Sequence, residues 1–435
     1  MSSTGKIGLR TATIVGMNAM IGAGIFSVPA ALGASVGPAG LVTYAFVILA
    51  VWCMGSAMAQ LAQHYPQEGS FYTYARQWGG RKIGLLAAGF YLVGLVIAMG
   101  HLTHTIGLYL QHYFPELSAF GLGLVALLLL TVFNMVGVHL SQAGQVLLIC
   151  TTAFPLIVIT LLCLTHGSWN NFVPFVPFGW HSVFSAARVV IFGFLGFECA
   201  ASLFHVVEHP QKNVPRALVM AIILVGVLYI FFVGSLIFAV PLGYFLDSSV
   251  PISETLAQVF PEHPWLFQLI HFSIFSAVFG TVHSMIWSAG SLLSAFIRQI
   301  SQSDAQPPMS HRVHRFIDDR LSVLLIAIGI FIAYVTLDDP GLFFDLTALF
   351  IVFAFMLSMG ALLLKHINQT PWQRIQTIIG LITAGAILYF AAENVVKIAY
   401  ERSHWRDITP VLALGNAVLD RGAKGLELRM SGRLN

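Results

Sequence analysis

Apolar runs long enough to cross a bilayer recur along the whole chain, and this recurrence constrains the fold more than any other feature. A spanning helix needs about 20 mostly apolar residues. Eleven such runs lie near 11–34, 40–61, 84–110, 119–138, 144–166, 183–206, 217–240, 265–297, 321–337, 341–365 and 374–398, the ninth of them short. Hydrophobic residues make up 57% of the 435 and charged residues only 9%, against roughly a quarter charged in a soluble domain. The expected class is an all-α integral membrane protein. A formal net charge of +3 is too small to argue for nucleic acid. Cys53, Cys150, Cys163 and Cys199 sit inside apolar runs without metal-ligand spacing and read as packed thiols. The first run lacks a bounded short apolar region with a cleavage site, so it reads as a retained span. No soluble domain is evident, and the longest polar loop is 298–320.

Lys and Arg set the orientation. With the N-terminus in the cytoplasm, inside segments hold Lys6 and Arg10, then Arg76, Arg81 and Lys82, then Lys212 and Arg216, then Arg298, Arg312, Arg315 and Arg320, then Lys365 and Arg374. The outside loops between spans hold none; only Arg188, at the start of the sixth span, approaches that face. The tail breaks the pattern: Lys397, Arg402, Arg406, Arg421, Lys424, Arg429 and Arg433 follow a span that should exit outside.

Two spans are interrupted. The first reads "MIGAGIFSVPA" over 20–30, with Gly22, Gly24 and Pro29 inside an apolar helical pattern. Gly in a helix interior costs about 1 kcal/mol against Ala and Pro about 3. An opened helix at membrane depth is tolerated only where it lines a cavity or packs on protein. The half-helix that resumes would point N–H groups into such a cavity, an end that attracts anions such as a carboxylate. Small residues at this spacing also serve close helix packing, so both readings stand on the residues alone. A phosphate loop is excluded by the missing third glycine and the absence of a preceding strand. The second interruption, in the sixth span, has Gly193 and Gly196 followed by Glu198. Paired interruptions in corresponding places of two halves point to a transporter's site. Five spans separate them, an odd number, so spans 1–5 and 6–10 would be repeats of opposite topology.

Three motifs in this order resemble the amino acid–polyamine–organocation (APC) transporters. "GMNAMIGAGIFSVPAALG" resembles that family's first helix. "PQEGSFYTYARQWGG" at 66–80 resembles its loop after the second helix, with Pro66, Gly69, Tyr74 and Gly79. "GFLGFECAASLFHVVEHPQKNVPRA" at 193–217 resembles its sixth helix and the loop beyond, with Glu198, Glu208, Pro210, Asn213, Pro215 and Arg216. The resemblance implies a five-plus-five inverted-repeat fold with broken helices 1 and 6. The expected organisation is a single transmembrane domain over 1–398, with repeat one about 11–166, repeat two about 183–365, an extra helix about 374–398, and a basic tail over 399–435. The eleventh helix, lying beyond both repeats, is expected to pack outside the core. Two departures are visible: the family usually has twelve spans, and some proton-coupled members carry a lysine in the fifth span, where "GQVLLICTTAFPLIVITLLC" has none.

The resemblance also implies the site. A substrate α-carboxylate meets backbone N–H groups around Gly22, Ala23 and Gly24. The α-amino group meets carbonyls near Ile21 and at Phe192, Gly193 and Leu195. The side-chain pocket draws on Phe192, Phe194 and Phe197, although a chain with 34 phenylalanines also uses them for core and lipid packing. Glu198 is the leading candidate for gating or proton coupling, because a carboxylate inside a span is costly and is functional by default. His283 is a weaker relay candidate. His101, His104 and His271 read as hydrogen-bonded or interfacial, and none has the close spacing of a metal site. Asp345 and Glu393 are placed near a membrane face, and Arg188 either pairs with an outer-face acid or snorkels. "HVVEH" at 205–209 and "GASVG" at 33–37 match enzyme patterns by letter, but both lie in or against membrane spans.

The expectation is a secondary active transporter of amino acids, not an enzyme, working by alternating access. Its substrates are neutral or apolar amino acids, carried by proton symport or exchange. A cationic amino acid or polyamine exchanger, and a non-transporting amino-acid sensor, remain as alternatives. No cofactor and no metal are expected; the partners are the substrate, the lipid bilayer and protons as candidate coupling ions. The expected location is a bacterial inner (plasma) membrane.

Overall fold

Backbone groups in hydrocarbon can be satisfied only within helices or a closed barrel, and this chain uses helices. The computed structural model describes residues 6–22, 24–66, 70–136, 142–199, 207–245, 252–301, 311–337, 339–365 and 367–401. Ala23 and the tail beyond 401 therefore lie outside the described residues, so the side of the membrane on which the tail sits does too. Helices α1 (Leu9–Met20) and α2 (Gly24–Ser35) form the first span, bent by 52° at the glycines. They are followed by α3 (Gly40–His64), α4 (Ser70–Tyr113), α5 (Ala119–Val136) and α6 (Gln142–Thr165).

A short α7 (Gly179–Ser185) precedes the sixth span, which opens as α8 (Ala187–Val190). Beyond it come α9 (Pro210–Ala239), α10 (Ile252–Val259), α11 (Trp265–Ser301), α12 (His311–Thr336), α13 (Pro340–Leu364) and α14 (Pro371–Glu401). Among the described residues eight helices are long and apolar enough to cross a membrane, or nine with the bent pair counted as one. The two remaining apolar runs are the shorter Arg320–Thr336 stretch of α12 and the broken sixth span.

Local chemistry accounts for several boundaries. Gly80, at φ 67°, turns the chain inside α4, so 70–79 is a separate arm before the spanning part. That arm carries most of the second motif, and Ser70 to Ala75 are buried. Trp78 pins it by donating to the Leu357 carbonyl at 2.7 Å. Asp339 caps α13, accepting from the N–H groups of Gly341 and Leu342.

Burial grades from inside to outside. In α11, 78% of the apolar window is buried and in α13 61%, against 28% in α5, 33% in α6 and 39% in α14. Thus α11 and α13 are interior helices, while α5, α6 and α14 turn much of their surface outward. The eleventh helix is at the edge, but it is not detached from the centre: Asn394 reaches inward to the buried Asp345.

Candidate functional site

The two interruptions meet. After Met20 the hydrogen bonding shortens: Gly22 N–H donates to the Met20 carbonyl at 2.8 Å, and α2 starts afresh at Gly24. In the sixth span α8 tightens into a 3-10 turn, Ile191–Phe194; Leu195 is extended (φ −66°, ψ 140°) and Gly196 takes φ 114°. A Cβ on Gly24 would lie 2.9 Å from the Gly193 Cα, and one on Gly196 would lie 2.6 Å from the Ala19 carbonyl oxygen. From Ala19 to Gly24 on one segment the contacts step back from Gly196 to Gly193 on the other, so the two broken segments run antiparallel where they cross. Away from the crossing, Ile7 and Val207 form an isolated parallel bridge.

A small cavity lies at this crossing. Ala19, Met20, Gly22 and Gly24 line it from the first span, Phe192 and Leu195 from the sixth, Ala98 and Leu102 from α4, and Thr281 and Met285 from α11. Its free volume is about 10 Å³, room for about one water. The wall is apolar apart from exposed backbone and the Thr281 hydroxyl. An organic ligand larger than a water needs this lining to move apart.

Long-range polar contacts hold the opened backbone. Thr281 Oγ1 donates to the Asn18 carbonyl at 2.9 Å, and Tyr229 Oη to the Met20 carbonyl at 3.0 Å. Asn18 Nδ2 donates to the carbonyl and to Oε1 of Gln145, at 3.0 and 2.7 Å. The Asn18 and Met20 carbonyls at the break thus find donors on α11 and α9, and the Asn18 side chain is anchored on α6, as burial demands. The polar residues Asn18 and Gln145, each inside an apolar run, were the available sequence signals for this scaffold; Tyr229 and Thr281 carried none.

Glu198 is 1% exposed. Its Oε1 accepts from Tyr91 Oη at 2.9 Å and its Oε2 from the Gly196 N–H at 3.0 Å. Around it Tyr91 stacks on Phe71, with ring centroids 4.1 Å apart, and Phe197 stacks on Phe355 at 5.1 Å. Glu198 therefore sits beside the break and braces it, one layer away from the cavity lining. Phe197 belongs to that layer as well. Phe194 packs between Tyr44 and Tyr229, and Gly193 faces the Tyr229 ring. Ile21 is buried without lining the cavity. Of the residues expected at the site, Gly22, Gly24, Phe192 and Leu195 share the cavity.

His283 lies on α11, 3% exposed, its Nδ1 3.2 Å from Asn134 Nδ2. Arg188 pairs with the fully buried Asp345, whose other oxygen accepts from Asn394 Nδ2 at 2.6 Å. Glu393 lies exposed, 3.8 Å from His181. His104 meets the Tyr334 carbonyl at 2.9 Å, whereas His101, expected to be hydrogen-bonded or interfacial, is buried with an Nε2 that has no partner. Among the described residues no three His, Cys, Asp or Glu side chains cluster as a metal site would require.

The family profile for amino acid permeases matches residues 7–406. The chain belongs to the amino acid permease family. The branched-chain amino acid permease BcaP of Bacillus subtilis is 23% identical over 276 residues, 58% of each chain. The uncharacterized amino acid permease YecA of the same organism is 27% identical over 221 residues, 50% of this chain and 52% of the relative. The vacuolar cationic amino acid transporter 8 of Arabidopsis thaliana is 27% identical over 374 residues, 80% of this chain and 60% of the relative. The permease-family chain thus matches about half to three fifths of the length of these relatives. In three dimensions it is similar to MhsT, solved in complex with L-phenylalanine, with a TM-score of 0.64 at 16% identity, covering 89% of this chain and 99% of that one. It is also similar to a Na+-coupled sialic acid symporter, with a TM-score of 0.59 at 14% identity, covering 89% and 90%. The fold is shared across these low identities.

Proposed function

We propose that this chain is a secondary amino-acid carrier that works by alternating access on neutral, apolar or aromatic amino acids. The observation that carries the reading is the antiparallel contact of two opened helices around an apolar cavity, at Gly24 against Gly193 and Gly196 against Ala19. In this reading the α-carboxylate takes the backbone N–H groups at Gly22, Ala23 and Gly24, the Gly22 N–H exchanging the Met20 carbonyl for the ligand. The α-amino group takes carbonyls near Ile21 and at Phe192, Gly193 and Leu195. The side chain rests on Phe192, with Ala98, Leu102 and Met285 around it. The repeats are proposed to run about 11–166 and 183–365, which makes the antiparallel pairing a consequence of their opposite topology.

Glu198 is proposed as the coupling or gating carboxylate, with proton symport or exchange as the mode and His283 as a second relay candidate. Its bonds to Tyr91 and Gly196 argue against its reading a cationic substrate side chain. The branched-chain relative and the phenylalanine-bound neighbour support the neutral, apolar class.

Counterflow in proteoliposomes tests the reading. Vesicles loaded with unlabelled leucine or phenylalanine should transiently accumulate the labelled amino acid from outside. Saturable binding with no accumulation would replace the carrier by a sensor.

A further inference from the structure

Ala98 and Leu102 of α4 line the cavity. His101 lies between them in sequence, three residues after one and one before the other, so it borders the same helix face. It is 7% exposed, and its Nε2 is buried without a hydrogen-bond partner. The ring is boxed by Phe192, Phe343 and Phe344, with centroids at 5.6, 5.4 and 5.0 Å. One turn along, His104 differs in that a backbone carbonyl holds its Nε2. A buried polar atom left unpaired asks for an explanation.

Phe192 supplies the connection. It lines the cavity and its ring also packs edge-on against His101. The cavity is too small for an amino acid at about 10 Å³, so filling it displaces the wall. A shift of Phe192, which touches both, is the movement that would join the cavity to the box and give a ligand access to Nε2. The ligand that suits three aromatic rings around one imidazole nitrogen is a flat side chain with a polar tip. A phenol serves either tautomer of the ring, because it both donates and accepts.

We propose that His101 is a specificity-determining residue, whose Nε2 hydrogen-bonds the distal hydroxyl of an aromatic substrate and so favours tyrosine over phenylalanine. The proposal rests on the carrier reading and deepens it. A site built to bond a substrate hydroxyl disfavours the analogue that lacks it, because the site's own polar atom is then left unpaired.

The test is the ratio of dissociation constants for L-phenylalanine and L-tyrosine, measured by calorimetry on the purified full chain. The wild type should prefer tyrosine by at least about tenfold, a difference of about 1.4 kcal/mol. His101→Leu should bring the ratio near unity or invert it, and His101→Gln, which keeps a donor and an acceptor, should restore part of it. Gel filtration shows whether each variant folds, and the wild-type ratio stands without either. A wild type that binds phenylalanine or leucine without preferring tyrosine overturns the His101 assignment and leaves the carrier reading intact. So does a His101→Leu protein that keeps the preference. Failure to bind any of the twenty amino acids overturns the carrier reading, and the assignment with it.

Discussion

Gly196 combines two demands that no other residue type meets. Its φ of 114° lies where side chains are strained, and a Cβ there would press on the Ala19 carbonyl at 2.6 Å. Gly196→Ala should therefore lower the thermal midpoint of the purified protein and reduce substrate affinity together; an unchanged midpoint would mean that the break relaxes freely. Gly22 makes a different point, since its Cβ direction meets Thr281 Oγ1 at 2.8 Å, the end of a side chain. Gly22→Ala should weaken binding through packing, and Thr281→Ala should recover part of the loss. Glu198 accepts two hydrogen bonds in a buried layer. As the proposed coupling group it is needed to reset the empty carrier, whereas exchange returns the carrier loaded. Glu198→Gln should then impair pH-dependent net uptake more than exchange in proteoliposomes. Equal loss of both would assign the carboxylate a bracing role only.

At the scale of elements, the start of the sixth span is tied to two later helices through one buried carboxylate. Asp345 on α13 takes Arg188 from α8 and Asn394 from α14. Removing one partner of a buried ion pair leaves the other charge uncompensated and typically costs 3–5 kcal/mol. Arg188→Met should lower the thermal midpoint markedly, while the double variant Arg188→Met, Asp345→Leu should regain much of it. No recovery in the double variant would mean that packing, not charge, dominates here. The first-span break was legible as glycines and a proline in an apolar run. The Arg188 partner was not, because an acid 157 residues away leaves no local trace, and "outer-face acid or snorkelling" was as far as Arg188 alone could go. The eleventh helix shows the same limit: a place at the edge is what a helix beyond both proposed repeats leads one to expect, while Asn394 inside the polar cluster follows from packing alone.

For the whole molecule, charge asymmetry and pairing of the broken spans make one topology. The start of α1 sits beside the segment after the sixth span, with Glu208 N–H donating to the Ile7 carbonyl at 2.9 Å. Both ends must then share a membrane face, and the distribution of Lys and Arg predicts that it is the inner one. In a cysteine-free background, Ser168→Cys should react with an impermeant maleimide in intact cells, and Lys212→Cys only after permeabilisation. Both positions are exposed. Labelling of both from the same side would break the assigned alternation of spans.

The sequence by itself determined the class, the spans, the two interruptions and the family, because each rests on local facts. A backbone in hydrocarbon needs some twenty apolar residues in a row, and an opened helix needs glycine where it opens. Only the tertiary structure decided which residues face the cavity and which stand behind it. Phe192 and Phe197 are five residues apart and chemically alike, yet one lines the cavity and the other stacks on Phe355. Between them the chain leaves helical geometry at Leu195 and Gly196, so no helical period predicts where each ring points. Tyr91 on Glu198, Thr281 on the Asn18 carbonyl and the unpaired Nε2 of His101 likewise depend on helices distant in sequence coming together. Periodicity can find a helix, but only packing chooses its neighbours.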